Sequence, residues 1–295
     1  MSELFDSIVA YVKEKERPVY DIAMMTDDGI ETATINKANR CQNSYSVAKA
    51  FVVTAAGIAY DRGLLMLEDK VTDILAKYVP AGIDERWNKI TVRDAMTHKM
   101  GLPRSFLDID VYGGRVFGKD YLNYMLSTEL VAEPCVERCY TDGAYYLMAR
   151  VVEEVTGEKV DDLLWHELFL PLEYTEVAWS HCPMGHPMGA TGLYITSEDM
   201  VKLGELYRKG GVYNGKRIIS EEWVNIVRTE GFELRERNVL DAFGKGGMYG
   251  QDLVIFPSKG LSIAWHGFKY KEKDEIMHLI AGDLEEWLAA KAAAV

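Results

Sequence analysis

The sequence predicts a mixed α and β chain, with strands near both ends and helices between them. Two observations carry this. Apolar runs of strand length occur at residues 20–35 and again at 246–265. Between them, from about Ser46 to His181, apolar residues recur mostly at helical spacing, broken by long connections. At 295 residues the chain is long enough for one large domain or two lobes around an ample core.

Residues 3–16 place Leu4, Phe5, Ile8, Val9, Tyr11 and Val12 on one stripe, which predicts an amphipathic helix. Tyr20 to Met25 and Ile30 to Ile35 read as strands joined by a hairpin turn at Asp27-Asp28-Gly29. After a loop around Asn39 to Asn43, a helix starting near Asn43 or Ser44 runs to Arg62-Gly63, where glycine ends it. Shorter helices are expected at Val92 to His98 and Tyr121 to Leu130, with a surface loop at 104–119 marked by Gly113, Gly114 and Gly118. A longer one is expected from Ala144 to the stop at Gly157. Ser197 to Lys209 and Ser220 to Arg228 carry acidic first turns and read as two more. Leu253 to Phe256 and Leu261 to Trp265 read as paired strands, and a last helix is expected from Leu284.

The formal charge of −13 argues against nucleic acid or an anionic membrane as the main partner. No run approaches the roughly 18 apolar residues of a spanning helix. Met1-Ser2-Glu3-Leu4-Phe5-Asp6 lacks the basic start and apolar core of a signal peptide, so a cytoplasmic protein is expected. Four cysteines, Cys41, Cys135, Cys139 and Cys182, do not make a disulfide framework in a chain of this length. Cys135 and Cys139, with His181, Cys182 and His186, match no common zinc spacing, so free thiols and no metal are expected.

Chemistry is carried by three stretches in order: Ser46-Val47-Ala48-Lys49, Tyr140-Thr141-Asp142 and Lys245-Gly246-Gly247. A serine hydroxyl is a poor nucleophile until something takes its proton. A lysine three residues on along a helix returns to the same face. Each stretch alone has a plain structural reading: an ordinary helix start, a half-buried tyrosine with Asp142 as the next helix's N-cap, and a glycine-rich turn into a strand. Read together, they resemble the penicillin-recognising serine hydrolases, and most closely the class C β-lactamase branch with its D-Ala-D-Ala peptidases and esterases. Thr97-His98-Lys99-Met100-Gly101-Leu102-Pro103 and Gly192-Leu193-Tyr194-Ile195-Thr196-Ser197-Glu198-Asp199-Met200 are similar to linking phrases of that branch. The resemblance runs from about residue 20 to 268.

What the resemblance implies is a β-lactamase/transpeptidase-like fold, α/β of the α+β type. An antiparallel sheet flanked by helices is built from both chain ends, about 1–45 and 192–295, with a helical lobe of about 46–191 inserted in the same catalytic domain. It implies Ser46 as nucleophile, with Lys49 lowered in pKa and acting with Tyr140 in proton transfer. Lys245 would orient a substrate carboxylate or bias Tyr140 toward phenolate. The backbone N–H groups of Ser46 and Met248 would form an oxyanion hole, and Gly246 and Gly247 would let backbone approach the substrate. No cofactor is implied.

Two departures stand out. Gly246 occupies the place of a hydroxyl that helps hold a carboxylate in the lactamases, and Asp142 replaces an amide and should attract Lys49 and Lys245, which favours the protonated lysine and raises its pKa. Both favour a small ester or amide substrate over β-lactams. A β-lactamase, a D-Ala-D-Ala-type peptidase and a non-catalytic ligand-binding module are the alternatives. His98 and His266 are read as structural, because Ser46, Lys49 and Tyr140 already supply a base.

Overall fold

The computed structural model describes residues 1–293. Its centre is a six-stranded antiparallel sheet, and the strand order explains why the two ends of the chain meet. The hairpin Val19–Thr26 and Gly29–Thr34 lies beside Leu261–Gly267, followed outward by Asp252–Phe256, Phe243–Gly246 and Arg235–Glu236. Val19–Thr26 therefore pairs with a strand more than two hundred residues later, Ala23 opposite Ala264 and Met24 opposite Ile263.

Successive side chains of a strand point to opposite faces, and both faces here are apolar. On one, Ile22, Met24, Val254, Phe256, Ile263 and Trp265 pack against Phe5, Ile8 and Val12 of the helix Glu3–Glu14 and against Ile276 and Ile280 of the helix Asp274–Ala281. Arg17 fastens these two helices through a bidentate pair with Glu275, at 2.8 and 2.6 Å. On the other face, Ala23, Leu253, Ile255 and Ala264 join the larger core, together with the helix Ser197–Arg208. Gly204 of that helix leaves room for the sheet, since a Cβ there would lie 2.9 Å from Leu253.

The helix Ala48–Asp61 is apolar on all sides apart from Lys49 and Thr54, with every residue from Ala48 to Ala59 buried. Such a helix belongs in an interior, and it packs against Asp142–Thr156 at the centre of the helical region. Among the described residues, no helix is long and apolar enough to cross a membrane.

Three local expectations are corrected. The central helix begins at Ala48, not near Asn43 or Ser44; Ser46 sits in a 3-10 turn, Tyr45–Val47, that leads into it. The reason is Tyr45, whose left-handed backbone (φ 49°) cannot continue a right-handed helix. Residues 104–119 are not all loop but hold the short helix Ile109–Tyr112 and the 3-10 turn Gly114–Phe117. The helix Asp274–Ala281 was not anticipated, although Asp274-Glu275 ahead of Ile276, Met277 and Ile280 is a legible helix start.

Candidate active site

The turn Tyr45–Val47 is placed from two sides. Asn43, paired in register with Tyr194, accepts through Oδ1 from the backbone N–H groups of Tyr45 (2.9 Å) and Gly192 (3.2 Å). From the sheet, Gly247 comes so close that a Cβ on it would lie 2.8 Å from the Ser44 carbonyl oxygen and 2.6 Å from Gln251 Oε1. Only glycine permits that approach. Ser46 therefore stands at the junction of the central helix and the strand Phe243–Gly246.

Three side chains converge on it. Lys49 Nζ donates to Ser46 Oγ at 3.1 Å, and the Tyr140 hydroxyl donates to the same oxygen at 2.8 Å. Lys245 Nζ lies 3.4 Å from the Tyr140 hydroxyl. The Tyr140 ring has Lys49 Nζ 5.0 Å from its centroid and Lys245 Nζ 4.9 Å away, within cation–π range. The sheet register fixes Lys245, which lies opposite Leu253 and so shares its face toward the helical core.

Lys49 is fully buried, and its other two contacts go to Asp142 Oδ1 and the Ala190 carbonyl, both at 2.8 Å. An ammonium has three donors, and all three are used. Burial alone would push its pKa down, but the charge of Asp142, followed by Tyr140 and Glu233, outweighs burial and holds Lys49 well above the usual lysine range. The lowering that the resemblance implies for Lys49 is thus corrected, while Asp142 raises it as its charge leads one to expect. Asp142 also does not attract both lysines; it pairs with Lys49 alone. Nor is it the N-cap: Thr141 caps the helix Asp142–Thr156, accepting from the Gly143 N–H, and Asp142 in the first turn is free to turn inward.

Lys245 has its own counter-ion, Glu233, which sequence reasoning missed. Glu233 is 1% exposed and sits in the left-handed region at φ 58°, a conformation that costs about 1–3 kcal/mol. Burial pushes its pKa up, but the Lys245 charge and the hydrogen bond from His98 outweigh that and keep it well below the usual carboxylate range. His98 Nε2 meets Glu233 Oε1 at 2.6 Å, while its Nδ1 accepts the Thr141 N–H at 3.3 Å. That pattern assigns a neutral ring protonated at Nε2, and burial lowers the His98 pKa in the same sense. Its ring packs 4.6 Å from that of Tyr140. His98 therefore positions the site without touching Ser46. A lone carboxylate between two buried apolar residues, Phe232 and Leu234, was the available signal for Glu233.

The remaining candidates are less direct. Gly246 faces away from Lys245, toward the terminal helices, where a Cβ would lie 2.1 Å from Lys273 Nζ. Lys273 is paired there with buried Asp252 at 2.9 Å, so a side chain at 246 would displace that pair. The Gly247 N–H donates to the Gln251 carbonyl at 2.7 Å and is occupied. Met248 follows in the same turn with its side chain 45% exposed. Asp108 and Asp110 bring carboxylate oxygens within 4.8 Å of that of Asp142, which adds negative charge beside the site. His266 is buried in the sheet, its pKa lowered to about 4 by burial, away from the Ser46 contacts. His181 pairs with Asp161, His186 with Glu153, and Cys182 is buried against the Tyr146 hydroxyl. All four cysteines are free.

Chemically, Ser46 Oγ accepts two hydrogen bonds, which occupy both lone pairs. To attack a carbonyl it must free one, and the ammonium of Lys49 has no lone pair with which to take the serine proton. The bond able to reverse is the one to Tyr140.

The chain matches the Beta-lactamase family over residues 7–275. It is 25% identical over 215 residues to penicillin-binding protein 4 of Amycolatopsis lactamdurans, an alignment covering 63% of this chain and 56% of that protein. In fold it is similar to EstCE1, a hydrolase with promiscuous acyltransferase activity (TM-score 0.71, 16% identity, 96% of this chain and 98% of that one). It is also similar to a penicillin-binding protein homologue from Caulobacter crescentus (TM-score 0.70, 14% identity, 95% and 97% covered). With residues 7–275 matched, the chain belongs to the Beta-lactamase family.

Proposed function

We propose that this chain hydrolyses a small ester or amide through a covalent acyl-Ser46 intermediate. The observation that carries this is the contact of Ser46 Oγ with both Tyr140 and Lys49, and of Tyr140 in turn with Lys245. Ser46 Oγ forms the bond to the carbonyl carbon as its proton passes to the Tyr140 oxygen in its deprotonated form. Two ammonium groups beside that oxygen offset the charge it carries. The backbone N–H groups of Ser46 and Met248 receive the oxyanion. On collapse the carbonyl carbon–leaving group bond breaks and the leaving group takes the proton from Tyr140. Water then repeats the sequence on the acyl-enzyme and releases a carboxylic acid.

An ester is favoured over a β-lactam, which carries a carboxylate, because Asp142 neutralises Lys49 and the carboxylates of Asp108 and Asp110 lie beside it. The expected result is a higher kcat/KM for nitrophenyl acetate or butyrate than for a chromogenic cephalosporin. A clear cephalosporin preference removes the ester reading.

Asp142 also sets the pH dependence. Its carboxylate holds Lys49 protonated and offsets its charge beside Tyr140, as Glu233 offsets that of Lys245. Asp142→Asn leaves the Lys49 charge uncompensated, so Lys49 gives up its proton at lower pH. The acid limb of kcat/KM should therefore move downward, by roughly one unit for an opposite charge at this range. Breaking a buried pair should also lower Tm. An unmoved acid limb would take Asp142 out of the chemistry and leave it a structural role.

A further inference from the structure

Tyr45, the residue immediately before Ser46, is held at φ 49°. Glycine adopts that backbone freely, whereas for a bulky side chain it is an outlier. Such strain persists where the surrounding structure requires the side chain, so the question is what the ring does. It packs edge-on against Tyr249, with centroids 4.9 Å apart at 73°, and Tyr249 lies 4.9 Å from Phe268 at 32°. The three rings form a row that starts at the candidate nucleophile and runs outward to solvent. Phe268 is 42% exposed and Met248, beside Tyr249, 45%.

The row is fixed in place. Gln251 Oε1 accepts the Tyr249 N–H at 3.2 Å, while its Nε2 donates to the Gly267 carbonyl at 2.9 Å. Gly247 seats the same turn against the Ser44 carbonyl. Apolar surface this close to a reacting serine and anchored on rigid elements is suited to hold a ligand's apolar part.

We propose that Tyr45, Met248, Tyr249 and Phe268 form the wall along which the apolar acyl group of the substrate lies, so that medium-chain acyl esters are preferred to acetyl esters. This rests on the reading of Ser46 as the nucleophile. The wall takes the acyl side, not the alcohol side, because the leaving oxygen must reach the Tyr140 hydroxyl for its proton. That places the alcohol toward Tyr140 and Lys49, and the acyl chain runs along the row of Tyr45, Tyr249 and Phe268.

The test is the acyl-length dependence of kcat/KM for nitrophenyl acetate, butyrate, hexanoate and octanoate, with an alkyl acetate series varied on the alcohol side. A fully buried methylene is worth about fourfold, and one lying on a half-open wall about twofold. The wild type should therefore gain roughly twofold per acyl methylene and show little dependence on alcohol length. Tyr45→Gly and Phe268→Ala should each flatten the acyl slope, and Tyr45→Gly should leave Tm equal or higher because its backbone strain is relieved. Phe268 is partly exposed, so its variant gives a folded check should the other not fold. A flat acyl slope in a wild type that turns over acetate, or a slope that survives both variants, overturns the wall while the hydrolase reading stands. So does a slope on the alcohol side alone. Absence of both ester turnover and a fluorophosphonate adduct on Ser46 would overturn the hydrolase reading, and the wall with it.

Discussion

Ser46→Ala is expected to lower kcat/KM for a nitrophenyl ester to about a ten-thousandth of wild type or less, the cost typical of losing a nucleophile that acts as part of a unit. The structure gives that unit: Ser46 Oγ is the one atom that both Lys49 and Tyr140 touch. Removing it leaves those groups aimed at no nucleophile. Stability should change little, because Ser46 lies at the edge of the core and not within it, while Lys49 keeps its bonds to Asp142 and Ala190. Residual activity well above that level in a cleanly folded variant would move the nucleophile elsewhere.

Tyr140→Phe is expected to lower kcat by about a hundred- to ten-thousandfold, the range in which a positioned proton-transfer group contributes, with KM changed far less. The phenylalanine ring keeps the packing against His98 and the approach of both lysines. What it loses is the oxygen 2.8 Å from Ser46 and 3.4 Å from Lys245. A transfer partner acts in the transition state, so its loss falls on kcat. A raised KM with kcat unchanged would make Tyr140 a wall of the pocket and nothing more.

The sequence carried the parts of this site that are local. Ser46 and Lys49 are three apart on adjoining turns, and their contact follows from that spacing. The antiparallel hairpin at Asp27-Asp28-Gly29 and the strands on either side of Gly260 were equally readable from turn chemistry. The long-range parts were not legible. His98 and Glu233 are 135 residues apart in the chain and meet only because the fold brings the loop after Glu230 beneath the sheet edge. Without Glu233 in view, Lys245 looked like an unpaired cation able to attract Asp142.

The two opposed expectations for Lys49 have a different origin. Burial and an opposite charge act on a lysine in opposite directions, and both were foreseeable from Asp142 and the apolar run behind Ser46. Their balance depends on the 2.8 Å distance to Asp142 Oδ1, which no spacing rule provides. Tyr45 was invisible for a related reason. Nothing in Ser44-Tyr45-Ser46 announces a left-handed tyrosine, since that backbone state is imposed by Asn43, Gly247 and the rings beside it.

The central claim is that an acyl or phosphonyl group becomes bonded to Ser46. Intact-mass spectrometry after incubation with a fluorophosphonate, followed by peptide mapping, measures this directly. The expected result is one added group per chain, located on the peptide that contains Ser46, absent from Ser46→Ala and formed far more slowly by Tyr140→Phe. An adduct on another residue, or ester turnover by a wild type that never becomes labelled at Ser46, would contradict it.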